Sequence, residues 1–445
     1  MKNLIFAVAF VYSSLAFSQN AIKEYAFSLQ QALDFAILNN RQAINAGRDI
    51  AIAQQKKWET TAMGLPQING NLGYQNNFVI QKSLIPAEIF GGQAGTFAEV
   101  AFGTTHNASA SLGLTQLLFD GSYIVALQAS KTYIQFYQNY KKKTDADVKE
   151  TIINSYGSVL LANESEFILQ KNKTILERTL FETEQTFKNG LIEEENVEQL
   201  KITLLNVKSN INYVTRLKEI SLKMLKINLG IDINDILLVT DKLDNLTKNN
   251  VDLALTANNF EVNNNINYAI AQNFVDQRRL ELKLQKSKAL PTLAAGLNFG
   301  YNSFGQSFNF FNTNQRWFNY SNLGLNLSIP IFSSFARSAR TQQAKIAFDK
   351  ATTDLNDAEQ KLKLQYQNAK SDYELSIENY QSSKENLQLA ERIDVKQQIK
   401  FKEGLSSSFN LAEGQRQLYT SQQSYLQAMI AVLNKKAALE KIITK

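Results

Sequence analysis

The sequence predicts a mainly α-helical protein with transmembrane β-strands, in which one unit of strands and long antiparallel helices occurs twice. Three observations predict this fold class. Short motifs recur about 213 to 225 positions apart. Four stretches of about ten residues alternate between apolar and polar side chains. Proline is absent from positions 87–290 and 331–445, so nothing there obliges a long helix to break.

Composition excludes several classes of function. The 445 residues contain no Cys and a single His, His106, which rules out thiol chemistry and leaves little for histidine-based catalysis or metal binding. Nucleotide-binding and metalloprotease motifs are also missing from the sequence. The net charge of +6 is spread over 47 basic and 41 acidic residues without a long single-sign run. We therefore expect no enzyme, no cofactor, no metal and no nucleic-acid partner.

The first 18 residues are typical of an export signal. Lys2 supplies the positive start, residues 4–15 are mostly apolar, and Ala16-Phe17-Ser18 is a small-x-small cleavage site. No later run of 18 or more apolar residues follows, so no spanning helix is expected. An exported chain of this kind is soluble in the periplasm, secreted, or inserted in a membrane through strands.

The repeated unit is marked by three pairs of motifs that keep their order. The pairs are Leu65-Pro66 with Leu290-Pro291, Leu118-Phe119-Asp120-Gly121 with Ile331-Phe332-Ser333-Ser334, and Phe187-Lys188-Asn189-Gly190-Leu191 with Phe401-Lys402-Glu403-Gly404-Leu405. The first pair is offset by about twelve residues more than the other two, which predicts a loop of variable length between the strands. We divide the chain into a first repeat at 19–230, a mid-chain segment at 231–262 and a second repeat at 263–445.

Each repeat is expected to begin with a helix. Ser28 and Gln31 have the spacing of a capping box, and the helical periodicity that follows predicts a helix that stops before Pro66. Its counterpart is expected at about 263–290.

Two strands per repeat follow, at about 66–78 and 108–119, and at about 292–301 and 323–332. The alternation is clearest in the last strand, where Leu323, Leu325 and Leu327 alternate with Gly324, Asn326 and Ser328. A strand of about ten residues has the length needed to cross a bilayer when tilted.

The remaining residues predict long helices at about 121–187 and 194–228, and at about 335–401 and 410–443. Tyr366, Tyr373 and Tyr380 recur at the seven-residue spacing of a coiled-coil seam. Gly190 and Gly404 can adopt the left-handed conformation that ends a helix, so each pair is expected to be antiparallel.

Four strands with one apolar face cannot lie in lipid with open edges, because each unpaired backbone group there costs several kcal/mol. The edges must therefore pair with other copies of the chain. Two copies would supply eight strands and three would supply twelve, and the strand count does not choose between them. Either assembly would be a conduit with apolar side chains outside and polar side chains inside.

The order of these motifs over the whole mature chain resembles the TolC family of outer-membrane efflux proteins. The matching motifs include Ser28-Leu29-Gln30-Gln31-Ala32-Leu33, Gln116-Leu117-Leu118-Phe119-Asp120-Gly121 and Asn228-Leu229-Gly230. The resemblance implies a homotrimer with a 12-stranded barrel in the outer-membrane lipid, continued by an α-helical coiled-coil tunnel in the periplasm. It also implies that 231–262 and the C-terminus form an equatorial belt.

As function, the resemblance implies the exit duct of a tripartite efflux system that expels small molecules with a periplasmic adaptor (membrane fusion) protein and an inner-membrane efflux pump. One alternative is the outer-membrane component of a type I protein secretion system. Another, from the residues alone, is a soluble periplasmic coiled-coil scaffold. The sequence does not identify the cargo.

The resemblance also carries functional positions onto this chain. The inter-helix turns point to Gly190, Leu191, Gly404 and Leu405 as adaptor contacts, although Gly-Leu is also a common helix C-cap. The resemblance implies two acidic residues at the periplasmic entrance, and this chain has Asn410, which departs from that pattern, and Glu413 there, matched in the first repeat by Asn196 and Gln199. Three copies of Glu413 would form a carboxylate ring that favours cations. Alternatively, Asn410 N-caps the last helix and Glu413 occupies its capping-box position.

Overall fold

The computed structural model describes residues 22–252, 254–257 and 260–443, and the predicted signal peptide at 1–18 lies outside them. The helices are α1 (Leu29–Asn39), α2 (Arg41–Ala62), α3 (Gly121–Lys188), α4 (Glu194–Leu229), α5 (Leu243–Asn249), α6 (Ala254–Ala257), α7 (Ile266–Ser287), α8 (Ala336–Lys402) and α9 (Ser408–Ile443). The strands are β1 (Glu24–Phe27), β2 (Gln67–Asn76), β3 (Lys82–Pro86), β4 (Phe97–Ala101), β5 (His106–Asp120), β6 (Ile236–Val239), β7 (Thr292–Gly305) and β8 (Trp317–Ser328).

The chain forms two compact units. The first, here called the helical unit, comprises the described residues within Met1–Asp49, Gln138–Ile270 and Asn356–Lys445. The second, called the strand unit, comprises Ile50–Tyr137 and Ala271–Leu355. Each unit takes segments from both halves of the chain.

The strand unit contains an antiparallel sheet of four strands in the order β2-β5-β7-β8. Its register aligns the apolar positions of all four strands: Ile68, Leu114, Leu297 and Leu323 form one cross-strand row. The neighbouring row on the opposite face is Asn69, Gly113, Asn298 and Asn322, and the Asn298 amide donates a hydrogen bond of 3.2 Å to Asn322 Oδ1. The sheet therefore has an apolar and a polar face, as the alternation predicts.

Both edges of this sheet are open. Among the described residues, β2 pairs only with β5 and β8 pairs only with β7. Each edge strand thus presents a row of backbone groups without a strand partner in the described part of the chain.

The last strand lies earlier in the sequence than expected. It covers Trp317–Ser328, so Ile329 and the three residues after it lie beyond the sheet. Pro330 has no N–H to donate, which disfavours continued pairing. The Arg337 guanidinium instead donates to the carbonyls of Pro330 at 2.8 Å and Ile331 at 3.0 Å.

The predicted variable loop contains a hairpin that the sequence patterns did not indicate. Strands β3 and β4 pair with each other, and the Lys82 ammonium contacts the Glu99 carboxylate at 2.9 Å. The loop spans 77–105, whereas the connection between β7 and β8 spans 306–316. The first repeat is therefore longer here, as the motif offsets predict.

The expected first helix is divided in two at Asn40. The Ser28 capping box is present. Asn40, however, has an extended backbone (φ −62°, ψ 131°), and its Oδ1 accepts hydrogen bonds from the N–H groups of Gln42 at 2.8 Å and Ala43 at 3.2 Å. The prediction of one uninterrupted helix up to Pro66 is wrong, because an asparagine side chain competes with the helix for backbone donors.

The same side-chain hydrogen-bond pattern occurs at an asparagine in the second repeat. Asn265 Oδ1 accepts from the N–H groups of Asn267 at 2.8 Å and Tyr268 at 3.2 Å. The two asparagines also hold the ends of long helices, because their side-chain amides donate to the carbonyls of Asn228 at 2.6 Å and Ile442 at 2.7 Å. The two repeats thus share a hydrogen-bond pattern as well as motifs.

The core of the helical unit is built on the predicted coiled-coil seam. Tyr366, Tyr373 and Tyr380 are all buried in it, together with Leu426 and Leu439. A two-stranded parallel sheet of β1 and β6 joins the start of the described chain to the mid-chain segment. Local patterns did not indicate these two short strands.

Candidate functional site

The two inter-helix turns have the same backbone geometry. Gly190 and Gly404 adopt φ angles of 72° and 73°, which glycine enters at little cost. In each turn the glycine N–H bonds a carbonyl three residues back, Phe187 at 2.8 Å and Phe401 at 3.0 Å. The N–H of the next residue donates to a carbonyl five residues back, from Leu191 to Thr186 at 3.2 Å and from Leu405 to Lys400 at 2.8 Å. These are Schellman motifs, so the C-cap interpretation of both Gly-Leu pairs is confirmed.

The leucines that follow the two glycines are not covered by the chain. Leu191 is 74% exposed and Leu405 is 78% exposed. A third Schellman motif ends α4 at Gly230, and there the equivalent Ile231 is only 4% exposed. Capping a helix therefore does not require an exposed apolar side chain, and the exposure of Leu191 and Leu405 calls for another explanation.

A groove of about 1190 Å³ lies beside these turns in the helical unit. Leu191, Gly404, Leu405 and Asn196 line it, whereas Gly190 is not among its lining residues. The Asn196 side chain ties the two turn regions together, because its Oδ1 accepts a hydrogen bond of 3.3 Å from the Ser408 N–H. Asn196 therefore lies in the groove beside the two turns.

A second cavity, of about 620 Å³, contains two of the predicted entrance residues, Gln199 and Glu413. Asn410 lines neither this cavity nor the groove beside the turns. Of the four entrance positions taken from the sequence, the single chain therefore brings Gln199 and Glu413 together and places Asn196 and Asn410 elsewhere.

The last helix starts earlier than expected, which changes the interpretation of Asn410. Helix α9 begins at Ser408, and the Ser407 hydroxyl accepts a hydrogen bond of 3.3 Å from the Asn410 N–H. Ser407 therefore caps the helix, and Asn410 is the third residue of the first turn. The alternative in which Asn410 is the N-cap and Glu413 its capping-box partner is wrong.

Glu413 instead forms an ion pair with Arg416, one helical turn further along α9. The guanidinium donates from Nε to Oε2 at 2.8 Å and from Nη2 to Oε1 at 2.5 Å. This contact with Arg416 lowers the pKa of the Glu413 carboxyl below its ordinary value. The sequence analysis missed Arg416, although acidic and basic residues three apart on a helix are known to pair.

Two further features concern the part of the chain that the structure describes. None of its helices carries an apolar stretch long enough to cross a bilayer. Among the same residues, no group of three or more His, Asp or Glu side chains is placed to hold a metal ion.

Known proteins resemble this chain in sequence and in fold. Residues 262–444 match the family model described as outer membrane efflux protein. No curated protein matches the chain. That family description agrees with the outer-membrane location that the sequence predicts.

Several solved structures share the fold. Three of them are CusC, described as forming a transmembrane channel (TM-score 0.75, 15% identity, covering 96% of this chain and 95% of CusC), the outer membrane protein VceC of Vibrio cholerae (0.71, 13%, 93% and 95%), and the CmeC outer membrane channel of Campylobacter jejuni (0.70, 16%, 93% and 85%). At these identities the likeness shows a common fold. Residues 262–444 thus match the outer membrane efflux protein model, and the chain has the fold of solved outer-membrane channels, in agreement with the resemblance to the TolC family.

Proposed function

We propose that this protein is the exit duct of a tripartite efflux system that expels small molecules. In this proposal three copies combine their sheets into a 12-stranded barrel in the outer membrane, and the long helices line a tunnel in the periplasm. A periplasmic adaptor and an inner-membrane pump deliver the cargo and the energy. The observation that carries the proposal is the four-stranded sheet with one apolar face, one polar face and two open edges.

The open edges support an assembly of copies rather than a single-chain sheet. In lipid each unpaired N–H or C=O group costs several kcal/mol, so β2 of one copy needs a strand of a neighbour. Pairing β2 of one copy with β8 of the next extends the sheet around a ring and leaves no edge. The apolar row that includes Leu297 and Leu323 then meets lipid, and the row that includes Asn298 and Asn322 faces the water-filled interior.

The two turns are the proposed docking surface for the adaptor. Gly190, Leu191, Gly404 and Leu405 present two exposed leucines on equivalent caps of the two repeats. Apolar side chains that are exposed in the free chain and supported by a rigid turn are suited to burial against a partner. The presence of the same arrangement in both repeats would give a trimer six such turns.

The proposed periplasmic entrance comprises Asn196, Gln199, Asn410 and Glu413. Three of these side chains are uncharged amides, and the fourth, Glu413, is the acidic group of the set. Gln199 and Glu413 lie at one cavity of the helical unit, which supports a shared role for these two residues. How the remaining two approach the pathway depends on the neighbouring copies.

A cellular assay tests this function. Deleting the gene in the source organism is expected to raise the accumulation of a fluorescent efflux dye, and re-expression of the full chain is expected to restore low accumulation. The control is a copy without residues 1–18, which is expected not to be exported and not to restore efflux. Unchanged dye accumulation combined with loss of a secreted polypeptide would contradict the proposal and favour the protein-secretion alternative.

A further inference from the structure

The cavity of about 620 Å³ that Gln199 and Glu413 line, here called the entrance cavity, contains an acidic and a basic side chain from one helix. Glu413 and Arg416 are three residues apart on α9, so a rise of about 4.5 Å separates them along the axis. The guanidinium fork makes two hydrogen bonds to the carboxylate, at 2.8 Å and 2.5 Å. Both partners belong to the same helical turn, so their proximity does not depend on how the copies of the chain assemble.

We propose that Arg416 determines the ionic selectivity of the entrance by cancelling the charge of Glu413. This inference rests on the proposed function of the protein as a duct. It replaces the expected acidic ring with a ring of paired charges, each pair summing to zero. An entrance of this kind does not select for cations and admits anionic and zwitterionic cargo as readily as cationic cargo.

The cancellation does not require a persistent contact. Glu413 and Arg416 are 49% and 72% exposed, and an exposed helical pair of this type contributes little to stability. The guanidinium nevertheless stays protonated at any physiological pH. Because the helix keeps both charges within a Debye length of about 8 Å, a solute farther away experiences little net charge from the pair.

The rest of the cavity lining adds no compensating charge. Among the described residues that line it, the charged side chains are Glu413 and Arg416. The positions of the first repeat that match Asn410, Glu413 and Arg416 at an offset of 214 are Asn196, Gln199 and Ile202, which are all uncharged. If Arg416 were removed, the lining would therefore keep one unpaired carboxylate per chain.

The test measures single-channel reversal potentials of the purified mature protein in planar bilayers under a KCl gradient. Relative to wild type, Arg416→Gln is expected to raise the potassium-to-chloride permeability ratio at least about twofold, because a bare carboxylate ring concentrates cations. It is also expected to lower the Mg²⁺ concentration that blocks the channel. Glu413→Gln is expected to lower the permeability ratio by a similar factor, since it leaves an unpaired guanidinium.

Two further variants separate charge from geometry. The double variant Arg416→Gln/Glu413→Gln is expected to return to the wild-type ratio, because both charges of the pair are gone. Arg416→Lys is expected to stay near wild type, since it keeps the charge and loses the fork. The matched control is Arg278→Gln, which removes an arginine from another i,i+3 pair, with Glu281 on α7 of the strand unit. It is expected to leave selectivity unchanged.

The failure of this inference is distinguishable from failure of the proposed function. If wild type conducts and Arg416→Gln leaves both the permeability ratio and the Mg²⁺ block unchanged, Arg416 does not set selectivity. A double variant that remains as cation-selective as Arg416→Gln would also overturn the proposal. If the wild-type protein makes no channel in any bilayer, the proposed duct function itself is wrong.

Discussion

Arginine in place of Leu325 is expected to abolish insertion of the protein into the outer membrane, whereas arginine in place of the adjacent Asn326 is expected to be tolerated. Leu325 pairs with Ala295 on the apolar face, and Asn326 pairs with Ala294 on the polar face. An arginine that faces lipid costs about 2–4 kcal/mol at the bilayer midplane and less toward the interfaces, and an assembly of three copies would incur its cost three times. The measurement is the amount of each variant in the outer-membrane fraction.

The comparison is controlled within one strand, because both substitutions add the same side chain to β8. Both side chains are exposed in the single chain, so the two variants differ mainly in the face that they alter. Equal insertion of the two variants would contradict the assignment of the apolar face to lipid. Failure of both variants would contradict the assignment of Asn326 to a water-filled interior, and Asn322→Arg would test the polar face at another register position.

Glutamate in place of both Leu191 and Leu405 is expected to abolish efflux without reducing the amount of protein in the membrane. Both leucines are largely exposed, so their replacement should change folding free energy by no more than about 0.5 kcal/mol. The proposed docking surface, in contrast, would lose two apolar contacts per chain and gain buried charge on binding. Efflux is measured by dye accumulation, and the protein by immunoblot of the membrane fraction.

Two controls accompany the turn variants. Ile231→Glu alters the equivalent cap residue where it is buried, and is expected to lower the amount of folded protein instead. A bulky charged side chain at Gly404 is also expected to abolish efflux. Gly404→Ala is its control, because alanine introduces the backbone strain at φ 73° without a bulky side chain. No atom lies within 4 Å of a Cβ added there, so the alanine variant has room. Efflux that persists in the double leucine variant would remove the turns from the docking surface.

Much of the fold could be predicted because its signals are local. Alternation of apolar and polar residues located the four sheet strands, and glycine in a Phe-x-x-Gly-Leu context located the turns at Gly190 and Gly404. The heptad spacing of Tyr366, Tyr373 and Tyr380 predicted the buried seam. Each of these signals depends on neighbours within one or two helical turns.

Features that depend on distant residues could not be predicted in the same way. Strands β1 and β6 have four residues each and pair across more than 200 positions, so no local pattern indicates their pairing. The Asn40 side chain, whose oxygen breaks the helix locally, also donates a hydrogen bond to the carbonyl of Asn228, which is far away in the sequence. Asn40 and Asn265 are nevertheless offset by 225 positions, like Leu65 and Leu290, and comparison of the repeats could have identified them.

The candidate site was predicted by resemblance rather than by local pattern. The resemblance names positions in the sequence but does not show which side chains lie together in the single chain. For this reason the sequence did not predict that Gln199 and Glu413 line one cavity and that Asn410 does not. The Ser407 cap could not be predicted because three consecutive serines, at 406–408, lie around the start of α9 and each could have served as the N-cap. The i,i+3 spacing of Glu413 and Arg416 could have predicted their ion pair. The proposed effect of Arg416 on selectivity, however, depends on the absence of other charged side chains from the described cavity lining, which the sequence does not show.

The central claim is that one chain supplies only part of a closed sheet and that identical copies complete it. The measurement that tests this most directly is native mass spectrometry of the purified mature protein, extracted with and without detergent. We expect the protein to require detergent and to have three times the mass of one chain. A stable monomer that remains in solution without detergent and forms no pores in lipid would contradict the account and favour the periplasmic scaffold.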